Sequence, residues 1–165
     1  MTLRIAKMLL VLGVALFYAF VVFNNTTDYD SNYQFVRHVV MMDSTFPGNH
    51  GMWRAVNTPA LHTAFYVAII AWEAVTMILC FIGVAKLTGA LRGTAATFHA
   101  AKRVAIIGLT VSLLQWLVAF LSVGGEWFLM WQSKSWNGQD AAFRMFTVIG
   151  IVLLFLVQSD LEEQP

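Results

Sequence analysis

Residues 64–85 read AFYVAIIAWEAVTMILCFIGVA, a run of 22 residues with one carboxylate, Glu73, and no other Asp, Glu, Lys, Arg or His. A helix crossing the roughly 30 Å hydrocarbon core of a bilayer needs about 17–25 mostly apolar residues. This stretch meets that length, and it sets the frame for the rest of the chain. Residues 5–23 and 104–123 are runs of the same kind, and 142–157 is a shorter one that needs Arg144 and Gln158 to snorkel at its ends. Lipid offers the backbone no hydrogen-bond partner, so each span must be a helix. The sequence therefore predicts an all-α protein, a four-helix transmembrane bundle occupying residues 1–165 as one integral membrane domain.

Composition agrees. Hydrophobic residues make up 59% of the chain and charged residues 12%, with a mean hydropathy of +0.69, whereas about a quarter of a soluble domain is charged. A formal net charge of +1 and the lack of a long basic run argue against nucleic acid as a partner. The single cysteine, Cys80, lies inside the second span and reads as a small apolar residue. Arg4 and Lys7 precede the first apolar run as in a secretory signal, but its exit through Phe20, Val21, Val22 and Phe23 is too bulky for a cleavage site, so it reads as an uncleaved helix.

Orientation follows from the basic residues near the span ends. With the N-terminus inside, the cytoplasmic side holds six of them (Arg4, Lys7, Lys86, Arg92, Lys102, Arg103) and the far side four (Arg37, Arg54, Lys134, Arg144). The stretch 86–103 is basic and free of acids. Both termini are expected in the cytoplasm, together with the acidic tail residues Asp160, Glu162 and Glu163.

Two loops then face outward and are expected to form a periplasmic cap of short helices. In the first, Phe35, Val36, Val39 and Val40 sit at helical spacing within 31–42, with Asp30 or Ser31 available as an N-cap. Phe46-Pro47-Gly48-Asn49 is a turn and helix stop. Met52, Trp53, Ala55 and Val56 make a second short amphipathic piece before Pro59 opens the next span. The second loop, residues 124–139, reads GGEWFLMWQSKSWNGQ and places Trp127, Trp131 and Trp136 where an aromatic belt belongs. So many aromatics would leave a large exposed patch, so Trp53 with Trp131 or Trp136 is expected to pack on residues 31–42.

The strings MDSTFPGN (42–49), MWRAVNTPALH (52–62), AWEA (71–74) and GGEWFLMWQS (124–133) resemble a bacterial family of predicted small integral membrane proteins with a domain of unknown function. The resemblance covers nearly the whole chain. It implies a four-helix inner-membrane protein of Gram-negative bacteria. It implies no activity, so no catalytic or binding residue is carried over.

Chemistry is left to a few residues. Glu73, with Gln115 and Tyr18, forms a candidate intramembrane polar cluster. A carboxyl near mid-membrane costs several kcal/mol unless paired or protonated. It serves either as a hydrogen-bonded interhelical clasp, protonated and bonded to Gln115, or as a proton or ligand site. The outward residues His38, Asp43, Trp53, His62, Glu126, Trp127 and Trp131 are candidates for the cap's own chemistry. His38, Met42 and His50 are weak metal-ligand candidates, since imidazole and thioether suit copper but their spacing matches no recognised site. Haem is disfavoured because no two histidines share a depth and C-x-x-C-H is absent. No nucleophile is arranged with a base, so no enzyme and no cofactor is expected. The leading expectation is a non-catalytic accessory or scaffold component that contacts the lipid bilayer and partner membrane proteins. Its alternatives are a small proton- or solute-handling transporter or channel using Glu73, and an outward metal-binding protein.

Overall fold

The computed structural model describes residues 1–160, so Glu162 and Glu163 lie outside the described residues. Among these residues there is no strand. Six α-helices run in the order α1 (Thr2–Thr27), α2 (Tyr29–Met41), α3 (Pro59–Ala90), α4 (Ala95–Ala101), α5 (Arg103–Leu114) and α6 (Gln139–Val157). Short 3-10 turns occupy His50–Arg54 and Met130–Gln132. Four segments are long and apolar enough to cross a membrane: α1, α3, the stretch Ala95–Trp127 and α6. At 1.5 Å per residue, the 32 residues of α3 measure about 48 Å, longer than the hydrocarbon is thick, so it must tilt or project into water. The 19 residues of α6 give about 28 Å.

The third span does not stay α-helical. From Gln115 to Trp127 it winds as a π-helix. Phe128 N–H reaches the Val123 carbonyl five residues back at 2.9 Å, and Ser122 Oγ donates to the Leu117 carbonyl at 2.8 Å. Most π-helices are single-turn bulges, so 13 residues is unusual. The largely apolar run 104–123 gives no warning of it, because its few polar residues leave no period to read.

The chain forms two compact units. Of the described residues, the terminal unit comprises Met1–Val21, Glu73–Leu113 and 147–160; the loop-bearing unit comprises Val22–Trp72 and Leu114–Phe146.

In the terminal unit α3 and α5 approach closely through small residues. A Cβ on Gly83 would lie 2.7–2.9 Å from Ala105, including its backbone, and one on Gly108 would lie 3.0 Å from Cys80 Sγ. Such small-residue contacts let helix backbones meet where no hydrophobic effect drives them together. Tyr18 on α1 and Ser112 on α5, both fully buried, share a 2.7 Å hydrogen bond.

In the loop-bearing unit α2 buries Val36, Val39 and Val40 against Met42, Tyr66, Phe128 and Met130. This is the apolar face expected for residues 31–42. The helix begins earlier than expected, with Asp28 rather than Asp30 or Ser31 at its N-cap, and Ser31 Oγ donates to Asp28 Oδ2 at 2.8 Å. It ends at Met42, whose φ of 54° is left-handed, and Gly48 in the Phe46–Asn49 turn is also left-handed at 76°. The two loops of this unit are tied by hydrogen bonds. Phe46 N–H donates to Gln132 Oε1 at 3.0 Å and Ser44 Oγ donates to Ser133 Oγ at 2.8 Å. Val56 N–H reaches the Val40 carbonyl at 2.8 Å.

Candidate functional site

The polar residues expected at membrane depth are buried: Tyr18 and Gln115 at 0% exposure and Glu73 at 4%. Tyr18 takes Ser112 as a partner, a residue passed over in the sequence, where it is one of three hydroxyls in the run 104–123. Glu73 and Tyr18 belong to the terminal unit, and Gln115, the first residue of the π-helical stretch, to the loop-bearing unit. Thr76, one turn after Glu73, is also fully buried.

The loop residues fall into four groups. His38 Nδ1 donates to Asp43 Oδ2 at 2.7 Å while its ring stacks on Trp136 at 4.6 Å and 8°. Trp136 also meets Phe35 edge-on, so the indole lying on α2 is that of Trp136. Trp53 and Trp131 are placed elsewhere. Trp53 is 77% exposed and contacts Trp127 edge to face at 5.7 Å. The Arg54 guanidinium lies 5.8 Å from the Trp53 ring and 5.5 Å from the Trp127 ring, and Arg54 Nη1 donates to the Glu126 carbonyl. Trp131, 43% exposed, pairs with Phe46. His62 is buried at the start of α3, with Nε2 donating to the Val56 carbonyl at 2.8 Å.

For metal, Met42 is committed to the apolar core at 1% exposure. Among the described residues no three His, Cys, Asp or Glu side chains are grouped to hold an ion. The same unit contains an apolar cleft of about 240 Å³ between α2, α3 and the π-helical stretch.

The most heavily charged cluster is one the sequence did not announce. Lys7 and Lys102, both fully buried, converge on the chain just past α6. Lys7 Nζ donates to the Gln158 carbonyl and to Asp160 Oδ1, both at 2.7 Å. Lys102 Nζ donates to the same carbonyl at 2.7 Å and pairs with Asp160 Oδ2. Cations here also meet the negative end of the α6 dipole and its unfilled carbonyls. Burial alone would raise the Asp160 carboxyl, but the hydrogen bonds and charges of Lys102 and Lys7 outweigh it and hold the group below the ordinary carboxylate value. Arg4 closes the neighbouring turn, donating to the carbonyls of Leu91 at 3.1 Å and Gly93 at 2.6 Å with Phe98 beneath it. The sequence hid this lock because Lys7 and Lys102 count as surface charges in any topology rule, and 153 residues separate Lys7 from Asp160.

No curated relative and no solved structure matches the chain. A family model does, over residues 3–159, and its description is a predicted small integral membrane protein. That match takes in all four membrane-crossing segments and both loops. The chain belongs to the DUF2165 family of small integral membrane proteins.

Proposed function

We propose that this protein is a non-catalytic component of a membrane complex, docking partner membrane proteins through its loop-bearing end. The observation that supports the reading is the Trp53–Arg54–Trp127 cluster. Trp and Arg dominate the energetic centres of protein interfaces. Here two indoles and a guanidinium are already ordered against one another, with Trp53 77% exposed. Preorganised side chains lose less rotamer freedom when a partner covers them.

The proposed setting is the bacterial inner membrane, with both termini cytoplasmic, on the strength of the basic, acid-free stretch 86–103. Cys80, the single cysteine, is buried, so membrane-impermeant thiol labelling reports an added cysteine cleanly. Labelling in intact cells should modify Ser44→Cys and leave Thr94→Cys untouched; the reverse pattern would invert the orientation.

The docking reading is tested by placing a photo-crosslinking amino acid at exposed position 126, beside the intact Trp127, and irradiating living cells. A discrete adduct with another membrane protein, lost on Trp53→Ala and Arg54→Ala, is the expected result. Adducts to lipid alone would overturn the reading. Glu73, buried in a span, supports a second reading in which the protein carries protons, and its test is given in the Discussion.

A further inference from the structure

The loop-bearing unit contains a cleft that the docking proposal does not use. Its lining includes Phe35 on α2, Ala68, Ile69 and Trp72 on α3, and Ala119 and Gly124 on the π-helical stretch. We propose that this cleft seats one acyl chain of a bilayer phospholipid.

Chemistry comes first. The lining is carbon almost throughout, so water inside would lack hydrogen-bond partners. The volume, about 240 Å³, exceeds the roughly 150 Å³ at which a dry apolar cavity accepts a benzene-sized guest. Ile69, Trp72 and Ala119 lie within two of the segments long and apolar enough to cross a membrane, so lipid is the apolar medium that such a cleft would meet. A transmembrane helix of a partner is about 10–12 Å across and does not fit such a space. A single chain does. With no Lys or Arg in the lining, the tail and not the headgroup is what the cleft selects.

The winding of the third span builds this space. Val118 and Val123, and likewise Ala119 and Gly124, line the cleft in pairs five residues apart. In an α-helix such residues point about 140° apart. The i→i+5 bonding of a π-helix stacks them on one side, and a Cβ on Gly124 would lie 3.4 Å from the Ala119 carbonyl. The small residues Ala68, Ala119 and Gly124 leave the floor open while Phe35, Phe65 and Trp72 wall it. Long π-helices are rare, and π-bulges recur at functional sites; here that geometry has a definite product.

The test uses full-length protein in phosphatidylethanolamine–phosphatidylglycerol vesicles doped with a phosphatidylethanolamine carrying a diazirine in its acyl chain. Photoadducts are mapped by mass spectrometry. Ile151 and Leu154, 61% and 67% exposed on α6, report ordinary lipid contact. Adducts should concentrate on Trp72 and residues 118–120 well above that reference. Ala119→Leu, which fills the cleft, should lower them about tenfold and leave the α6 adducts unchanged. Should Ala119→Leu fail to fold, Gly124→Ala serves instead, since its Cβ makes only ordinary contacts, at 3.4 Å with Ala119 and 3.6 Å with Met130; a smaller drop confined to the cleft is then expected. Adducts that follow exposure alone, or that survive the filling substitution, would overturn the proposal. So would cleft cross-links to another protein in cell membranes in place of lipid.

Discussion

The two units hold themselves together by different physics. In the terminal unit, α3 and α5 meet through Gly83 and Gly108, and two buried lysines close on one aspartate past the end of α6. The loop-bearing unit relies on an apolar cluster around Val39 and Tyr66, stacked rings and loop-to-loop hydrogen bonds. The first arrangement turns Lys7, Lys102 and Asp160 inward against one another. The second leaves Trp53, Trp127 and Trp131 at its surface and a cleft in its side. The contrast sets the buried charges at one place in the chain and the exposed aromatics, on which the docking proposal rests, at another, so substitutions can attack one without the other.

The harshest break should come from Asp160→Ala. It strands two buried ammonium groups, and removing one partner of a buried pair typically costs about 3–5 kcal/mol. Thermal unfolding in mild detergent should show the loss, while exposed Lys134→Ala changes nothing measurable. The same lock should respond to acid. Because the Asp160 carboxyl is held below its ordinary value of 3.8, its contribution is complete above that pH and is lost as the pH falls through the lower folded value. Asp160→Asn should remove that acid-dependent part of the unfolding profile.

Next in size is Gly83→Ala. The added Cβ meets the Ala105 backbone, which cannot swing away as a side chain would, so overpacking of about 1–3 kcal/mol is expected. Urea-linked or thermal unfolding checks it, and Gly13→Ala, where a Cβ meets nothing within 4 Å, is the control.

Those two substitutions also mark what could be read in advance. The four spans were legible because bilayer thickness imposes a length on apolar runs, and the buried face of α2 was legible because Val36, Val39 and Val40 repeat at helical spacing. The Gly83–Ala105 crossing and the lock on Asp160 were not, since both depend on partners 22 or more residues away. The choice among Trp53, Trp131 and Trp136, all three expected as candidates for packing on residues 31–42, was equally hidden. Trp136 lies on α2 because Ser133 Oγ accepts its backbone N–H at 2.8 Å and turns the chain there, a detail of loop geometry that aromatic content does not encode. Nor did the largely apolar run 104–123 betray the π-winding that forms the cleft.

Within the loop-bearing unit, Trp136→Ala removes the stack on His38 and the edge contact with Phe35. Aromatic pairing is worth about 0.5–1.5 kcal/mol beyond the area buried. Hydrogen exchange should speed up along Tyr29–Met41 while amides in α5 keep their protection.

The smallest effect is expected for Glu73→Gln. Replacement by Gln preserves hydrogen-bonding capacity, so unfolding should shift by less than about 1 kcal/mol; Leu forfeits it and should cost about 0.6–2 kcal/mol. Proton flux into vesicles should be the same for wild type and Glu73→Gln. A flux present in wild type and abolished by Glu73→Gln in folded protein would replace the docking account with the carrier reading.

The separation of stability from recognition is tested most directly by purifying, side by side in mild detergent, tagged wild type, the double variant Trp53→Ala with Trp127→Ala, and Asp160→Ala, then measuring the thermal midpoint and the co-purifying membrane proteins of each. The account predicts that the tryptophan variant keeps the wild-type midpoint and loses its partner, while the folded fraction of Asp160→Ala unfolds earlier and retains it. A tryptophan variant that keeps both the midpoint and the full set of co-purifying proteins would contradict it.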